Sequence, residues 1–221
     1  MFKSWWSPDL VQVIRLMAVN MEVLQQLDSK WSALFNIICR IAHRLRPNTI
    51  AKARENISAH YDLGNDFFSL FLDKTMLYSS AIYPHPNATL EEASLHKMAH
   101  ICERLQLKAS DHLLEIGTGW GGMAIYAAKT SGCKVTSVTI SKEQFIYATN
   151  WVKREGLENQ VSVLLQDYRL IEGTFDKLVS IEMIEAVGHE YYREYFSKCS
   201  SLLKPNGLML IQAITIQDQR F

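Results

Sequence analysis

Two stretches of the chain carry residues whose types and spacing could do chemistry. In HLLEIGTGWGG, residues 112–122, an apolar run ends in an acid, Glu115, and glycines follow at 117, 119, 121 and 122 before the helical pattern MAIYAAK. Glycine lets a backbone turn sharply at positive φ and lets a ligand lie against bare main chain, facing the N–H groups of a helix start. Such a turn suits a nucleotide-like cofactor. In the second stretch the apolar run KLVSI leads into Glu182-Met-Ile-Glu185-Ala-Val-Gly-His189. A carboxylate just past a buried strand can stabilise a developing cation or orient an anion that takes a proton, and Glu185 is the residue expected to carry that role. The plainer reading of Glu185 is a cap on the helix beginning near His189, or an ion pair.

The type of cofactor follows from where acids stand. Gly117, Gly119 and Gly122 also satisfy the G-x-G-x-x-G dinucleotide pattern. That pattern needs an acid at the end of the second strand, about 20 positions on, to hold ribose hydroxyls. Here CKVTSVTI ends in Thr139, Ile140 and Ser141. The acid comes early instead, as Glu115 two residues before the first glycine. E-x-G-x-G-x-G resembles the first motif of the S-adenosylmethionine-dependent methyltransferases.

The elements that must position these residues follow from patterning. The 221 residues, 48% hydrophobic, can bury a core and form one domain with an appendage. With 23 acids against 23 bases, no global field recruits nucleic acid. Cys39, Cys102, Cys133 and Cys199 stand singly, which suits reduced thiols and a cytoplasmic location, and neither a signal peptide nor a membrane span is read. Residues 1–55 form a helical lead-in, the tail of a longer N-terminal domain. Pro8 suits a first helical turn, and Leu10, Ile14, Met17, Met21, Leu24 and Leu27 recur along one face. A second helix, Ser29 to Arg46, carries Arg40, His43, Arg44 and Arg46; it is either a surface for anionic headgroups or a solvated face. Residues 56–83 mix aromatics with small polar groups and fit no single period. They are an irregular core cover or the wall of an apolar pocket.

Thr89 with Glu92 predicts a capping box and a helix to about Leu105. His96 and His100 share one face of it, but no third ligand accompanies them, so no metal site is read. Beyond the glycine turn, strands are expected at 133–140, 160–166, 175–184 and 207–216, with helices to about Gly132, from Ser141 (boxed by Gln144) to about Arg154, and near 190–203. Their near-continuous apolar runs suit strands buried on both faces, which predicts a doubly wound α/β sheet. Ligands of such sheets sit at the carboxyl ends of the strands. That gathers Glu115 to Gly122, Thr139 to Gln144, Asp167 to Tyr168, Glu182 to Glu185 and Gln212 at one edge.

HYDLGNDFF (60–68), LYSSAIY (77–83), LEEASLHK (90–97), LEIGTGWGG (114–122), VTISKEQ (138–144) and SIEMIEAVGHEYY (180–192) stand in an order and spacing that resembles the cyclopropane fatty-acid synthase family, including the mycolic-acid cyclopropane synthases. The resemblance runs from about residue 56 to 216. It implies a Rossmann-like class I methyltransferase domain over 56–221 that binds S-adenosylmethionine and transfers its methyl carbon to the cis double bond of an unsaturated acyl chain, in a phospholipid at the membrane surface or carrier-bound. By the same resemblance, Tyr78 and Ser79 touch the cofactor, Gly117, Gly119 and Gly121 line its amino-acid end beside Glu115, Thr139 and Gln144 lie near the ribose or adenosine, and Asp167 and Tyr168 flank the adenine.

The family's base resembles a bicarbonate held by glutamate, cysteine, histidine and tyrosine. Glu185 matches the glutamate, whereas Ser80 stands at the cysteine position and Gln212 at the histidine position. The tyrosine would lie beyond Phe221. Serine and glutamine can still donate hydrogen bonds to an anion. Methylation or methylene formation without ring closure therefore competes with cyclopropane formation, as does a non-catalytic remnant. Five strands are counted where seven are expected, so the chain is read as a piece of a longer protein.

Overall fold

The computed structural model describes residues 7–20 and 65–216. The chain divides into two units, Met1–Pro47 and Asn48–Phe221. In the first, one helix is described: α1, Leu10–Val19, capped by Asp9, whose side chain accepts from the Gln12 amide. Pro8 therefore precedes the cap instead of entering the first turn. The helix ends at Val19 with Asn20 as its C-cap, short of the expected run; Met21, Leu24 and Leu27 of that run and the basic helix from Ser29 to Arg46 lie outside the described residues.

In the second unit, five described strands form one parallel sheet: β1 (His112–Ile116), β2 (Lys134–Thr139), β3 (Val161–Leu165), β4 (Phe175–Ile181) and β5 (Leu203–Gln212), in the order β3-β2-β1-β4-β5. The helices are α2 (Asn65–Ser69), α3 (Leu90–Leu105), α4 (Gly122–Ser131), α5 (Lys142–Arg154) and α6 (Tyr192–Leu202). Strand order reverses between β1 and β4, and such a switch point opens a crevice at the carboxyl ends of the strands. This is the doubly wound arrangement that the apolar runs predict.

The strands alternate their side chains between two cores. Leu113, Val135 and Val179 pack with Met98, Ile101, Ala124 and Val152 on one face. Leu114, Ile116, Val138 and Leu178 pack with Tyr195, Cys199 and Leu202 on the other. Burial on both faces explains why the sequence reads as unbroken apolar runs.

Helix starts follow the sequence closely. Thr89 accepts from the Glu92 amide and the Glu92 carboxylate accepts from the Thr89 amide, the full reciprocal box. At α5 only half of the expected box forms. Ser141 accepts from the Gln144 amide at 3.3 Å, but the Gln144 side chain turns to the Thr139 hydroxyl at 2.8 Å.

Two strand ends differ from expectation. β4 stops at Ile181 because Glu182 leaves the extended region at φ +47°. β5 begins at Leu203 and stops at Gln212, four residues short of the expected end. Its regular pairing runs from Leu208 to Gln212 against Lys177 to Ile181, after an irregularity at Pro205, Asn206 and Gly207.

Candidate active site

The crevice is floored by the glycine turn. Gly117, Gly119 and Gly121 adopt φ +99°, +53° and +99°, and the amides of Gly117 and Thr118 donate to Val138 O at 3.0 and 3.1 Å, tying the turn to the end of β2. Above Gly119 the space is open: a Cβ there would meet nothing within 4 Å. Its amide makes no hydrogen bond among the described residues. Gly122 is the opposite case, since a Cβ would lie 2.3 Å from Thr75 O and 2.9 Å from Leu77 Cδ1. The segment Thr75–Leu77 therefore lies directly on the start of α4, and only glycine admits it.

Glu115 lies beneath this floor rather than in the crevice. The register of β1 on β2 sets it opposite Ser137, whose hydroxyl donates to Glu115 Oε2 at 2.5 Å and lies 2.7 Å from Thr118 Oγ1. Burial pushes the Glu115 carboxyl up to about 8, against the opposing hydrogen bond from Ser137, so it is mostly protonated at neutral pH. In this geometry it braces the turn from below.

At the rim, the buried Thr139 hydroxyl donates to Gln144 Oε1 and accepts from the Ser141 amide at 3.1 Å. Asp167, also buried, accepts from the Arg169 amide, Nε and Nη2 at 3.0, 2.9 and 2.7 Å. Burial alone would raise its carboxyl; the hydrogen bonds and charge of Arg169 outweigh that and hold it low. Tyr168, half-buried, stacks edge-on against Tyr195 at 5.4 Å, and burial pushes its hydroxyl up to about 12. Thus Thr139, Gln144, Asp167 and Tyr168 stand together along the ends of β2 and β3.

The wall above comes from residues 65–83. Phe68, Met76 and Trp120 form a small buried cluster, with Phe68 4.7 Å from Trp120 and 5.1 Å from Tyr78 between ring centroids. Tyr78 itself is 56% exposed, as are Phe71 and Tyr83 to similar degree. An open cleft of about 470 Å³ is lined by Phe71, Leu72, Leu77, Tyr78 and Tyr83, and a second of about 640 Å³ runs between α3 and β5. Ser80 lines both. Both readings of 56–83 hold for its described part: Phe68 and Met76 cover the core at Trp120, while Phe71, Leu72, Leu77, Tyr78 and Tyr83 line the cleft.

The polar cluster at the junction of these clefts differs from expectation. Ser80 and Gln212 converge on Glu182, not on Glu185. Glu182 Oε1 accepts from the Ser80 amide at 2.9 Å, the Ser80 hydroxyl at 3.0 Å and Gln212 Nε2 at 2.8 Å. Gln212 Nε2 also lies 3.2 Å from Ser80 O. Glu185 sits on a 3₁₀ turn, Ile184–Ala186, with an exposed side chain that accepts from the Ile214 amide at 2.6 Å. The expected group of Glu185, Ser80 and Gln212 is thus split: Glu182, at φ +47° just past β4, reaches Ser80 and Gln212 at the end of β5, while Glu185 braces the segment after β5.

Lys97 completes the cluster. It is fully buried on α3 and donates from Nζ to the Ser79 hydroxyl at 2.5 Å and to Ser80 O at 2.9 Å. Burial lowers its ammonium to about 8, against the attraction of Glu182 and Asp73. Asp73 is held by the Thr75 amide and by the hydroxyls of Thr75 and Ser94. Sequence reasoning missed Lys97. The signal was present, since Ala93, Lys97, Ile101 and Leu105 recur every four residues, and a lysine in an apolar stripe needs a buried partner. His96 and His100, by contrast, are not joined by other ligands; among the described residues no group of three or more metal-binding side chains occurs.

A family model described as mycolic acid cyclopropane synthetase matches residues 48–221. The probable fatty acid methyltransferase of Pseudomonas putida is 42% identical over 163 residues, 73% of this chain and 41% of that protein. The cyclopropane-fatty-acyl-phospholipid synthase of Escherichia coli K12 is 40% identical over 213 residues, 96% of this chain and 53% of that protein. Among solved structures, the mycolic acid cyclopropane synthase CmaA1 complexed with SAH and CTAB aligns with a TM-score of 0.68 at 35% identity, covering 72% of this chain and 55% of that one. The chain spans about half the length of the curated relatives it matches.

Proposed function

Because the chain belongs to the mycolic acid cyclopropane synthetase family, we propose that it uses S-adenosylmethionine to transfer a methyl or methylene carbon to the cis double bond of an unsaturated acyl chain of a phospholipid. The observation that carries this reading is the crevice itself: an open glycine floor at the strand-order switch, directly beside an apolar wall of aromatic side chains. When bound, S-adenosylmethionine supplies an electrophilic methyl on a sulfonium. Gly117, Gly119 and Gly121 would hold its amino-acid end, with Glu115 bracing them from beneath. Thr139 and Gln144 would lie near the ribose or adenosine, Asp167 and Tyr168 would flank the adenine, and Tyr78 and Ser79 would touch the cofactor.

An alkene is a poor nucleophile, so the protein's task is alignment in a dry channel. Phe71, Leu72, Leu77 and Tyr83 offer apolar surface along one cleft, which suits an acyl chain. The product reading is a cyclopropane. The second reading is methylation or methylene formation without ring closure, favoured by Ser80 and Gln212 at the anion-holding positions and by the fatty acid methyltransferase among the relatives. The reading includes peripheral contact with the inner face of the cell membrane. It is supported by exposed Val11, Ile14, Met17 and Val19 on α1; among the described residues no helix is long and apolar enough to cross a bilayer.

The test is mass spectrometry of membrane lipids from cells expressing the protein's native reading frame. A gain of one CH2 per acyl double bond supports the reading. Chains that resist catalytic hydrogenation of an alkene carry a ring, and chains that still take up hydrogen carry a branched alkene. Unchanged lipids, together with no binding of S-adenosylhomocysteine, would overturn it.

A further inference from the structure

We propose that the Glu182 carboxylate is the site's own proton acceptor and stands where a bound anion would otherwise be held; the inference rests on the methyl-transfer reading above. Three donors already converge on Glu182 Oε1: the Ser80 amide, the Ser80 hydroxyl and Gln212 Nε2, all at 3.0 Å or less. Ser80 and Gln212 are the side chains that resemblance to the family assigns to bicarbonate. With these donors spent on a carboxylate, bicarbonate does not fit. It would set a second negative charge against the first and find no free donor on either residue.

The backbone points the same way. Glu182 holds φ +47°, a conformation that glycine adopts freely and a carboxylate-bearing residue adopts only under strain. Strain kept at the end of a central strand, beside the switch point, is a feature of functional positions. Lys97, buried beneath, supplies the counter-charge through Ser80 and Ser79. Glu182 Oε2 takes no hydrogen bond among the described residues, and the Ser80 beside it lines both clefts.

The step balances simply. Once the methyl carbon has added to one carbon of the double bond, the other carbon carries a positive charge. Glu182 Oε2 takes a proton from the acyl chain and becomes a carboxylic acid. If the proton leaves the new methyl, its C–H electron pair forms the carbon–carbon bond that closes the ring. If it leaves the carbon next to the cation, the pair forms a double bond and a branched alkene results. The carboxylic acid then returns its proton to water. A carbocation makes the C–H bonds on the next carbon, and on the methyl attached to that carbon, acidic enough for a carboxylate to take the proton, and a carboxylate there stabilises the cation while it forms.

The experiment compares the parent with Glu182→Gln and Glu182→Gly in bicarbonate-free buffer, using vesicles of unsaturated phospholipid, with S-adenosylhomocysteine affinity by calorimetry and 13C-bicarbonate binding by NMR. The parent is expected to turn over equally with and without bicarbonate and to give no bicarbonate signal. Glu182→Gln should lose about 100-fold or more in kcat with S-adenosylhomocysteine affinity nearly unchanged. Glu182→Gly, relieved of its backbone strain, should fold, bind 13C-bicarbonate and regain turnover when bicarbonate is added. A parent that binds bicarbonate or slows without it, or a Glu182→Gln enzyme within about threefold of the parent, overturns the proposal. A parent that binds no S-adenosylhomocysteine and alters no acyl chain overturns the methyl-transfer reading instead, and the bicarbonate titration still decides the place of Glu182.

Discussion

Lys97→Met isolates what it costs to keep a charge beneath the site. The lysine is fully buried, and burial lowers its ammonium from 10.5 to about 8 in the folded chain, while the unfolded chain keeps the ordinary value. The unfolded state therefore binds more protons between these values, and stability rises with pH across the window. Below pH 8 both states are charged and the full penalty is present, about 3 kcal/mol at ~1.4 kcal/mol for each tenfold loss of proton affinity. Integrating the linkage from about pH 7 to about pH 9.5 gives a gain of roughly 2 kcal/mol for the parent. Methionine fills similar space without the charge, so the variant lacks that gain. The variant also forfeits the bonds to Ser79 and Ser80, which makes the pH dependence a cleaner readout than stability at one pH. The assay is urea denaturation at several pH values, with the two curves subtracted so that groups common to both cancel. A difference that stays flat across the window would refute the buried-charge account.

Three further outcomes are expected. Gly122→Ala drives a Cβ to 2.3 Å from Thr75 O, so it should lower the urea midpoint by the equivalent of about 1–3 kcal/mol and weaken S-adenosylhomocysteine binding; an unchanged midpoint would show that residues 75–77 are not seated on the turn. Glu115→Gln tests the opposite linkage: the folded carboxyl is raised to about 8 from 4.5, so its contribution is fully present below 4.5 and is lost as pH rises through about 8, and glutamine, which cannot ionise, should remove that decline, as denaturation at stepped pH would reveal. Vesicle co-sedimentation should rise with anionic lipid and fall with added salt if Arg40 and Arg44 meet headgroups, because exposed charges are screened within about 8–10 Å at physiological ionic strength; binding indifferent to both returns them to a solvated face.

Local signals made much of the fold and floor of the site legible. A capping box at Thr89, a helix stop at Gly132 and apolar runs such as KLVSI each depend on neighbours in sequence, and each forms as read. The same holds for the glycine turn, since positive φ at 117, 119 and 121 is a demand on single residues. Only half of the Ser141 box forms because Gln144 has a better partner in Thr139, a choice made across a turn rather than along a helix.

The sequence by itself determined the element order, the doubly wound sheet and the cofactor turn, because periodicity, caps and glycine positions act over a few residues. Which carboxylate meets Ser80 and Gln212 was decided only by the tertiary structure. Ser80, Lys97, Glu182 and Gln212 come from a loop, a helix and the ends of two strands, and their meeting depends on the register of β4 on β5 and on one left-handed residue. Glu182 and Glu185 are three positions apart and chemically identical. A φ of +47° turns one toward the donors and leaves the other at the Ile214 amide, because the direction of a side chain is set by backbone geometry that no residue type encodes alone.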